Sequence, residues 1–334
     1  MTSIDARPST SMRAIIQNRY GSADVLRLEQ TDLPEIAEDE VLVRVRAAGI
    51  DRGTWHMMAG RPYLMRVIGF GFRGPKNQVP GLDVAGTVAA VGSAVTSFST
   101  GDEVLGISRG SFAEYAAARQ DKLSSKPVNL TFVQAAAVPI SAGTALQALV
   151  DAGRVERGQR VLVIGASGGV GSYAVQLAKA FGSEVTGVCS TAKLDLVTSL
   201  GADHVVDYTR QDFAECTSNY DLIIDIAGNS SLPRLRRALT PTGTLVIVGG
   251  EEGGNWTGGF GRSLRAPLLS PFVGQRLTML ASKERASDLE RIRPLIEAGK
   301  VMPSIDRTYP LAHVPEAMRH LKAGGIRGKA VITI

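Results

Sequence analysis

The chain has 334 residues, 44% of them apolar and 21% charged, with a net charge of +5. That length suggests about two domains, and this composition excludes wholesale disorder. Its two cysteines exclude a disulfide framework and an all-cysteine metal site and suit a reducing, cytoplasmic setting, while scattered Lys and Arg with 5% aromatics argue against a nucleic-acid surface.

From the N-terminus, residues 1–10 (MTSIDARPST) lack the charged-then-apolar order of a signal peptide and read as a tail. The first third is β-rich. Residues 12–16 form a short apolar run, and 41–48 (VLVRVRAA) alternate as a half-buried strand does. Further strands are expected at 83–91, 103–107 and 111–117, punctuated by glycines, which suggests a small barrel-like unit. Residues 52–78 lack a period and read as a loop or short helix over a cleft. Residues 131–152 read as helix. Then come strand 161–164, helix 171–181, strand 185–189, helix 192–200, strands 204–206 and 222–226, helix 232–239 and strand 245–248. Strands alternating with helices at this spacing imply βαβ units and a parallel sheet. Residues 249–271 read as a glycine-rich loop, either a mobile lid or a plain connection. A strand at 277–280, helices at 286–298 and 314–322, and a strand at 330–334 close the chain. No run of 18 apolar residues interrupts it, so no membrane-spanning helix is expected.

The strongest local signal is RVLVIGASGGVGSYAVQLAKAFG at 160–182. An apolar strand runs into Gly165-Ala166-Ser167-Gly168-Gly169-Val170-Gly171 and then a helix. Gly168 lets the backbone approach a pyrophosphate, Gly171 lets the helix pack on the strand, and the helix N-terminus offers N–H groups and partial positive charge. Ala166 stands where the first glycine of G-x-G-x-x-G would. The end of the next strand indicates which dinucleotide binds. An NAD site holds an acid about 20 residues on, but here Cys189-Ser190-Thr191-Ala192-Lys193 offers no carboxylate before Asp195. Ser190 and Lys193 suit a 2′-phosphate, so NADPH is the expected cofactor.

These motifs have company. AAGID (47–51), PGLDVAGTVAAVG (80–92), GDEVLG (101–106), GSFAEYA (110–116), AAAVPISAGTALQA (135–148), LGADHVVDY (200–208) and GKAVITI (328–334) stand in this order along the chain. With 160–182, they make the sequence resemble the zinc-free quinone oxidoreductase branch of the medium-chain dehydrogenase/reductase superfamily, over nearly everything after residue 11. The resemblance implies an α/β protein: a GroES-like β-rich catalytic domain (1–137 and 282–334) around a Rossmann doubly wound parallel-sheet domain (138–281). It places Thr144 near a nicotinamide and the backbone of Gly168, Gly169 and Val170 against the pyrophosphate. Ser190, Lys193 and Tyr208 would surround the 2′-phosphate. Ala227, Val248, Gly249 and Gly250, at strand ends, would flank the nicotinamide, with Phe272 and Lys329 as further cofactor contacts.

Zinc-dependent members carry a cysteine where this chain has Asp51, a histidine within the segment matching 81–83, and another ligand near 139–141. None of these positions holds Cys or His here, and the four-cysteine lobe is missing. Asp51 and Asp83 alone make a poor zinc site, so no metal is expected. Without a Lewis acid, a quinone, enone or enal is the acceptor that conjugation itself activates. Asp51, His56 and Tyr63 are the cleft candidates for delivering a proton, with solvent as the alternative. A metal-free alcohol or aldehyde dehydrogenase and a non-catalytic NADPH-binding protein remain as other classes. The apolar edge strand at 277–280 points to a homodimer.

Overall fold

The computed structural model describes residues 10–64, 66–215, 219–250, 254, 256 and 258–334. A β-rich unit comes first: β1 (Ser11–Ile16), β2 (Arg27–Asp32), β3 (Glu40–Ile50), helix α1 (Arg52–Ala59), β4 (Asp83–Val91), β5 (Glu103–Ile107), β6 (Tyr115–Arg119) and β7 (Leu123–Ser125). The long β3 strand organises it. Val41, Val43 and Val45 point inward while Arg44 and Arg46 face out, and β3 pairs antiparallel with β4, β6 and β15 (Lys329–Thr333). The last two strands, β14 (Ile305–Pro310) and β15, pair in parallel, so the chain's end completes the sheet that its beginning started.

Between these pieces lie α2 (Phe132–Ala136), α3 (Pro139–Leu146) and a six-strand sheet. The latter contains β8 (Arg160–Ile164), β9 (Glu184–Cys189), β10 (His204–Asp207), β11 (Tyr220–Asp225), β12 (Leu239–Ile247) and β13 (Arg276–Met279), all parallel, in the order β10-β9-β8-β11-β12-β13. Counted from β8 this is 3-2-1-4-5-6, the doubly wound order. The strand period divides β8 between two cores. Val161 and Val163 pack with Tyr173 and Leu177 of α4 (Gly169–Ala180). Leu162 and Ile164 join Leu235 of α6 (Leu232–Ala238) and Ala266 of α7 (Phe260–Leu269) on the other face. Helices α5 (Leu194–Ser199), α8 (Ala286–Glu297) and α9 (Val314–Lys322) complete the fold. Among the described residues no helix is long and apolar enough to cross a membrane.

Three expectations need correction. The single helix at 131–152 is two helices and a π-turn (Gln147–Ala152), because Pro139, at the start of α3, brings no N–H to continue α2. The strand expected at 111–117 begins at Tyr115; its earlier residues turn, with the Ser111 N–H donating to Gly81 O. The segment 249–271 is not a loop throughout. Glycines dominate only its first half, and FGRSLRAPLL forms α7 despite Pro267. Residues 251–253, 255 and 257 of the expected lid lie outside the described residues. Strand β2 (RLEQTD) carries no alternating apolar signal because nearly all of it is exposed.

Candidate active site

The two sheets flank a cleft of about 920 Å³. On its floor β8 gives way to a turn at Gly165, whose φ of +89° only glycine adopts without strain. The Gly165 and Ala166 N–H groups both donate to Val188 O, locking the turn to β9. Gly168 is the N-cap of α4, so the first-turn N–H groups at Gly169, Val170 and Gly171 have no partner within the helix. A Cβ on Gly171 would lie 2.1 Å from Gly165 O, and one on Gly169 would crowd Ser141 Oγ at 3.0 Å and Lys329 Cδ at 3.1 Å. The cradle is thus bare backbone with a helix dipole aimed into it, and it fits a pyrophosphate.

Beyond β9, Ser190, Lys193 and Tyr208 all line the cleft, Tyr208 being 60% exposed. Lys193 Nζ donates to Gly324 O and Ile326 O, both at 2.8 Å, which occupies two of its three protons. Burial lowers its pKa, an effect that the charge of Asp306 opposes. Asp207, at the end of β10, is the nearby acid that sequence reading passed over. Its oxygens accept from Thr191 Oγ1, from the Thr209 N–H and from Thr209 Oγ1. Those bonds, that of Thr191 foremost, hold its carboxyl below the usual range, and it stays out of the cleft wall.

At the other end, Thr144 Oγ1 meets Ser282 Oγ at 3.2 Å, joining α3 to the segment where the chain leaves the parallel sheet. Ala227, Val248, Gly249 and Gly250 line this end. Lys329 is also in the wall, but its ammonium points into the protein. Nζ donates to Asp83 Oδ2 at 2.9 Å with both side chains buried, and Asp83 Oδ1 accepts the Ile140 N–H at 2.8 Å. Burial pushes the Asp83 carboxyl up, against the pull of Lys329.

The acid–base candidates separate. Asp51 lines the cleft and caps α1: Oδ1 accepts the Thr54 N–H at 2.8 Å and Oδ2 accepts Thr54 Oγ1 at 3.1 Å. His56, one turn on, lines the cleft and its Nδ1 sits 3.0 Å from Arg61 O; because a carbonyl only accepts, Nδ1 carries the proton. Tyr63 stands outside the cleft wall, its ring edge-on to Trp256 at 5.7 Å and under the guanidinium of Arg66. Phe272 is 83% exposed beyond the end of α7 and takes no part in the cleft. Among the described residues no three His, Cys, Asp or Glu side chains are grouped as metal ligands. One constellation had no signal in the sequence. Arg262 of α7 and Asp225 at the end of β11 form a buried pair, 37 positions apart, directly beneath the turns that line the cleft.

Residues 37–128 match the alcohol dehydrogenase GroES-like domain family, and residues 200–332 match the zinc-binding dehydrogenase family. The chain is 34% identical to 2-methylene-furan-3-one reductase of Solanum lycopersicum, over 99% of its own length and 81% of that protein's. It is also 34% identical to a chloroplastic NADPH-dependent alkenal/one oxidoreductase of Arabidopsis thaliana, over 98% and 81%. Among solved structures, the quinone oxidoreductase of Coxiella burnetii superposes with a TM-score of 0.86 at 28% identity, covering 97% of this chain and 99% of that one.

Proposed function

We propose, from the premise that this chain belongs to the medium-chain dehydrogenase/reductase superfamily, that it reduces a quinone, enone or enal with NADPH and without zinc. It is an NAD(P)H-dependent oxidoreductase, and hydride transfer to a quinone or enone is its reaction class. The preference for NADPH, the independence from zinc and the roles below are our reading. The domain limits 1–137 with 282–334, and 138–281, belong to it, as does a cytoplasmic setting.

The observation that carries the reading is the cradle at Gly168–Gly171 with Lys193 just past β9 in the cleft wall and Asp207 outside that wall. When bound, a reduced nicotinamide supplies the hydride. The first-turn N–H groups of α4 hold the pyrophosphate. Ser190, Tyr208 and the remaining proton of Lys193 meet the 2′-phosphate. Thr144 and the strand ends at Ala227, Val248, Gly249 and Gly250 orient the nicotinamide side against the acceptor. Asp51 is committed to its cap and Asp83 to Lys329, which leaves neither as a ready ligand for a metal.

The test is an acceptor panel run in excess chelator. Quinones, enones and enals should oxidise NADPH, saturated alcohols should be poor substrates with NADP⁺, and NADPH should be preferred over NADH by roughly ten- to hundredfold. Lys193→Ala should erase most of that preference, with a smaller loss for NADH because the Gly324–Ile326 segment also loses its anchor. Turnover lost on chelation, or efficient metal-free alcohol oxidation without any activated acceptor, would overturn the assignment. Tight NADPH binding with no turnover would make the chain a binding protein.

Proton delivery falls to His56, the one acid–base candidate that is in the wall and not committed to a helix cap. His56→Gln should lower kcat with enones more than it alters the Kd for NADPH. An unchanged kcat would assign the proton to solvent.

A homodimer completes the reading. Among the described residues β13 is paired on one side only, and Leu264, Leu268 and Phe272 form an exposed apolar series along α7 and its end. Bare apolar edges are normally covered, and a second copy related by a two-fold axis covers both at once. A monomeric mass by light scattering at micromolar concentration would refute it.

A further inference from the structure

Arg262 leaves α7 and reaches under the open ends of the central strands. Its Nη1 donates to Asp225 Oδ2 at 2.5 Å and to Ser230 O at 2.7 Å, and its Nη2 donates to Gly249 O at 3.1 Å. Asp225 is fully buried, and its other oxygen accepts the Gly228 N–H at 3.1 Å. One guanidinium thus ties together three segments: the turn after β11 (226–230), the turn after β12 (249–250) and the first turn of α7. All three present residues to the cleft, namely Ala227 and Ser230, Gly249 and Gly250, and Gly259 and Ser263. The backbones of the last two segments are in close contact. The Gly259 N–H donates to Gly250 O at 3.2 Å, and a Cβ on Gly259 would lie 2.2 Å from Gly250 Cα.

An arginine at this place is expensive. Its side chain is 15% exposed, its charge is neutralised by a carboxylate with no exposure, and among the described residues its Nε has no partner although buried. A buried pair with an unsatisfied donor is a poor device for stability alone, and an apolar pair of similar volume would serve that end as well or better. What the fork geometry supplies is direction: two nitrogens fix three acceptors, one at the end of β11 and one on each of the two turns, relative to one another.

We propose that Arg262 is a positioning residue for the reaction, setting the wall where nicotinamide and acceptor meet by clamping the turns at 226–230 and 249–250 to the start of α7, with Asp225 as its anchor. The inference rests on the enone- and quinone-reductase reading. Arg262 touches neither cofactor nor acceptor; it acts through Ala227, Gly249, Gly250, Gly259 and Ser263. Displacing these walls misaligns the acceptor carbon with the nicotinamide while leaving the pyrophosphate cradle and the Lys193 end, on other strands, intact.

The test uses the full chain with NADPH and the best acceptor from the panel. Arg262→Ala should lower kcat and raise the acceptor KM, with kcat/KM down about tenfold to a hundredfold. The Kd for NADPH should change by less than about threefold, since phosphate contacts dominate it. Guanidinium ion in the assay should restore part of kcat, a rescue that a merely structural role would not give. Arg262→Lys, which keeps the charge but not the fork, should fold normally and still show the raised KM, and Asp225→Asn should move both constants in the same direction. Variants that unfold at lower temperature yet keep the parent kcat and KM per folded molecule, without rescue, would overturn the inference. If the unmutated protein turns over no quinone, enone or enal, the functional reading itself fails, and that outcome is seen before any variant is made.

Discussion

Replacing Lys329 with Met is expected to cost about 3–5 kcal/mol of folding stability, because it strands Asp83 as a buried carboxylate without its cation. Asp83 and Lys329 are separated by 246 positions, and their 2.9 Å contact joins the first residue of β4 to the first of β15, while the second oxygen holds the start of α3. Burial already raises the Asp83 carboxyl and the charge of Asp51 adds to it; Lys329 is the opposing influence. Removing that influence raises it further. A carboxyl whose folded pKa lies above its unfolded value stabilises the fold fully below the unfolded value, and this contribution is lost as pH rises through the folded one. The deficit of Lys329→Met relative to the parent should therefore shrink as pH falls from about 7 to about 5, as the stranded carboxyl takes up a proton. Denaturant melts at the two pH values check the sign. A second variant, Asp83→Leu with Lys329→Met, should recover most of the loss, since no charge is left uncompensated. A Lys329→Met protein as stable as the parent at neutral pH would show that water or local rearrangement solvates Asp83.

Lys329 and Lys193 differ in how far position along the chain predicts surroundings in the fold. Lys193 follows a β-strand and a turn inside a βαβ unit, so local order alone predicted a place in the cleft, and it does line the cleft. The same holds for Gly168–Gly171, where strand, turn and helix are contiguous. Lys329 shared that resemblance, yet its ammonium serves Asp83, a partner no periodicity announces. The cap that Asp51 makes was less legible, though Asp51 does line the cleft. An Asp just ahead of a helix is a cap signal, but 52–78, read as a loop or short helix, has no period that fixes the start of α1 at Arg52. In 249–271 glycine content hid the helix: FGRSLRAPLL spaces Phe260, Leu264 and Leu268 four apart, but Leu264 and Leu268 are exposed and the inward anchor is a charged residue, Arg262, which reads as surface. Phe272 looked like a ligand contact and is exposed, because it sits in the short turn past the far end of α7, whose start lines the cleft.

The second large effect concerns the cradle itself, and the smallest possible change should suffice. Gly171→Ala adds one methyl group where its carbon would lie 2.1 Å from Gly165 O and 2.8 Å from Ala166 Cα, so the helix and the turn cannot both stay in place. Neither neighbour is a flexible side chain; both are backbone, held by the Gly165 and Ala166 N–H bonds to Val188 O. The strand is central in its sheet and cannot yield, so α4 must back away by something on the order of 1 Å. That shift moves the N–H groups of Gly169 and Val170 from the phosphate oxygens they are set to meet, and a displacement of that size in a positioned contact lowers binding or turnover about a hundredfold. Fluorescence titration should find NADPH affinity reduced by about that factor, with NADH affected equally, because both share the pyrophosphate. This separates the cradle from Lys193, whose loss acts on the two cofactors unequally. Far-ultraviolet circular dichroism should stay close to the parent, since one helix moves and none unwinds. A Gly171→Ala protein that binds NADPH as tightly as the parent would show that the dinucleotide does not rest on this turn, and the cofactor assignment would fall with it.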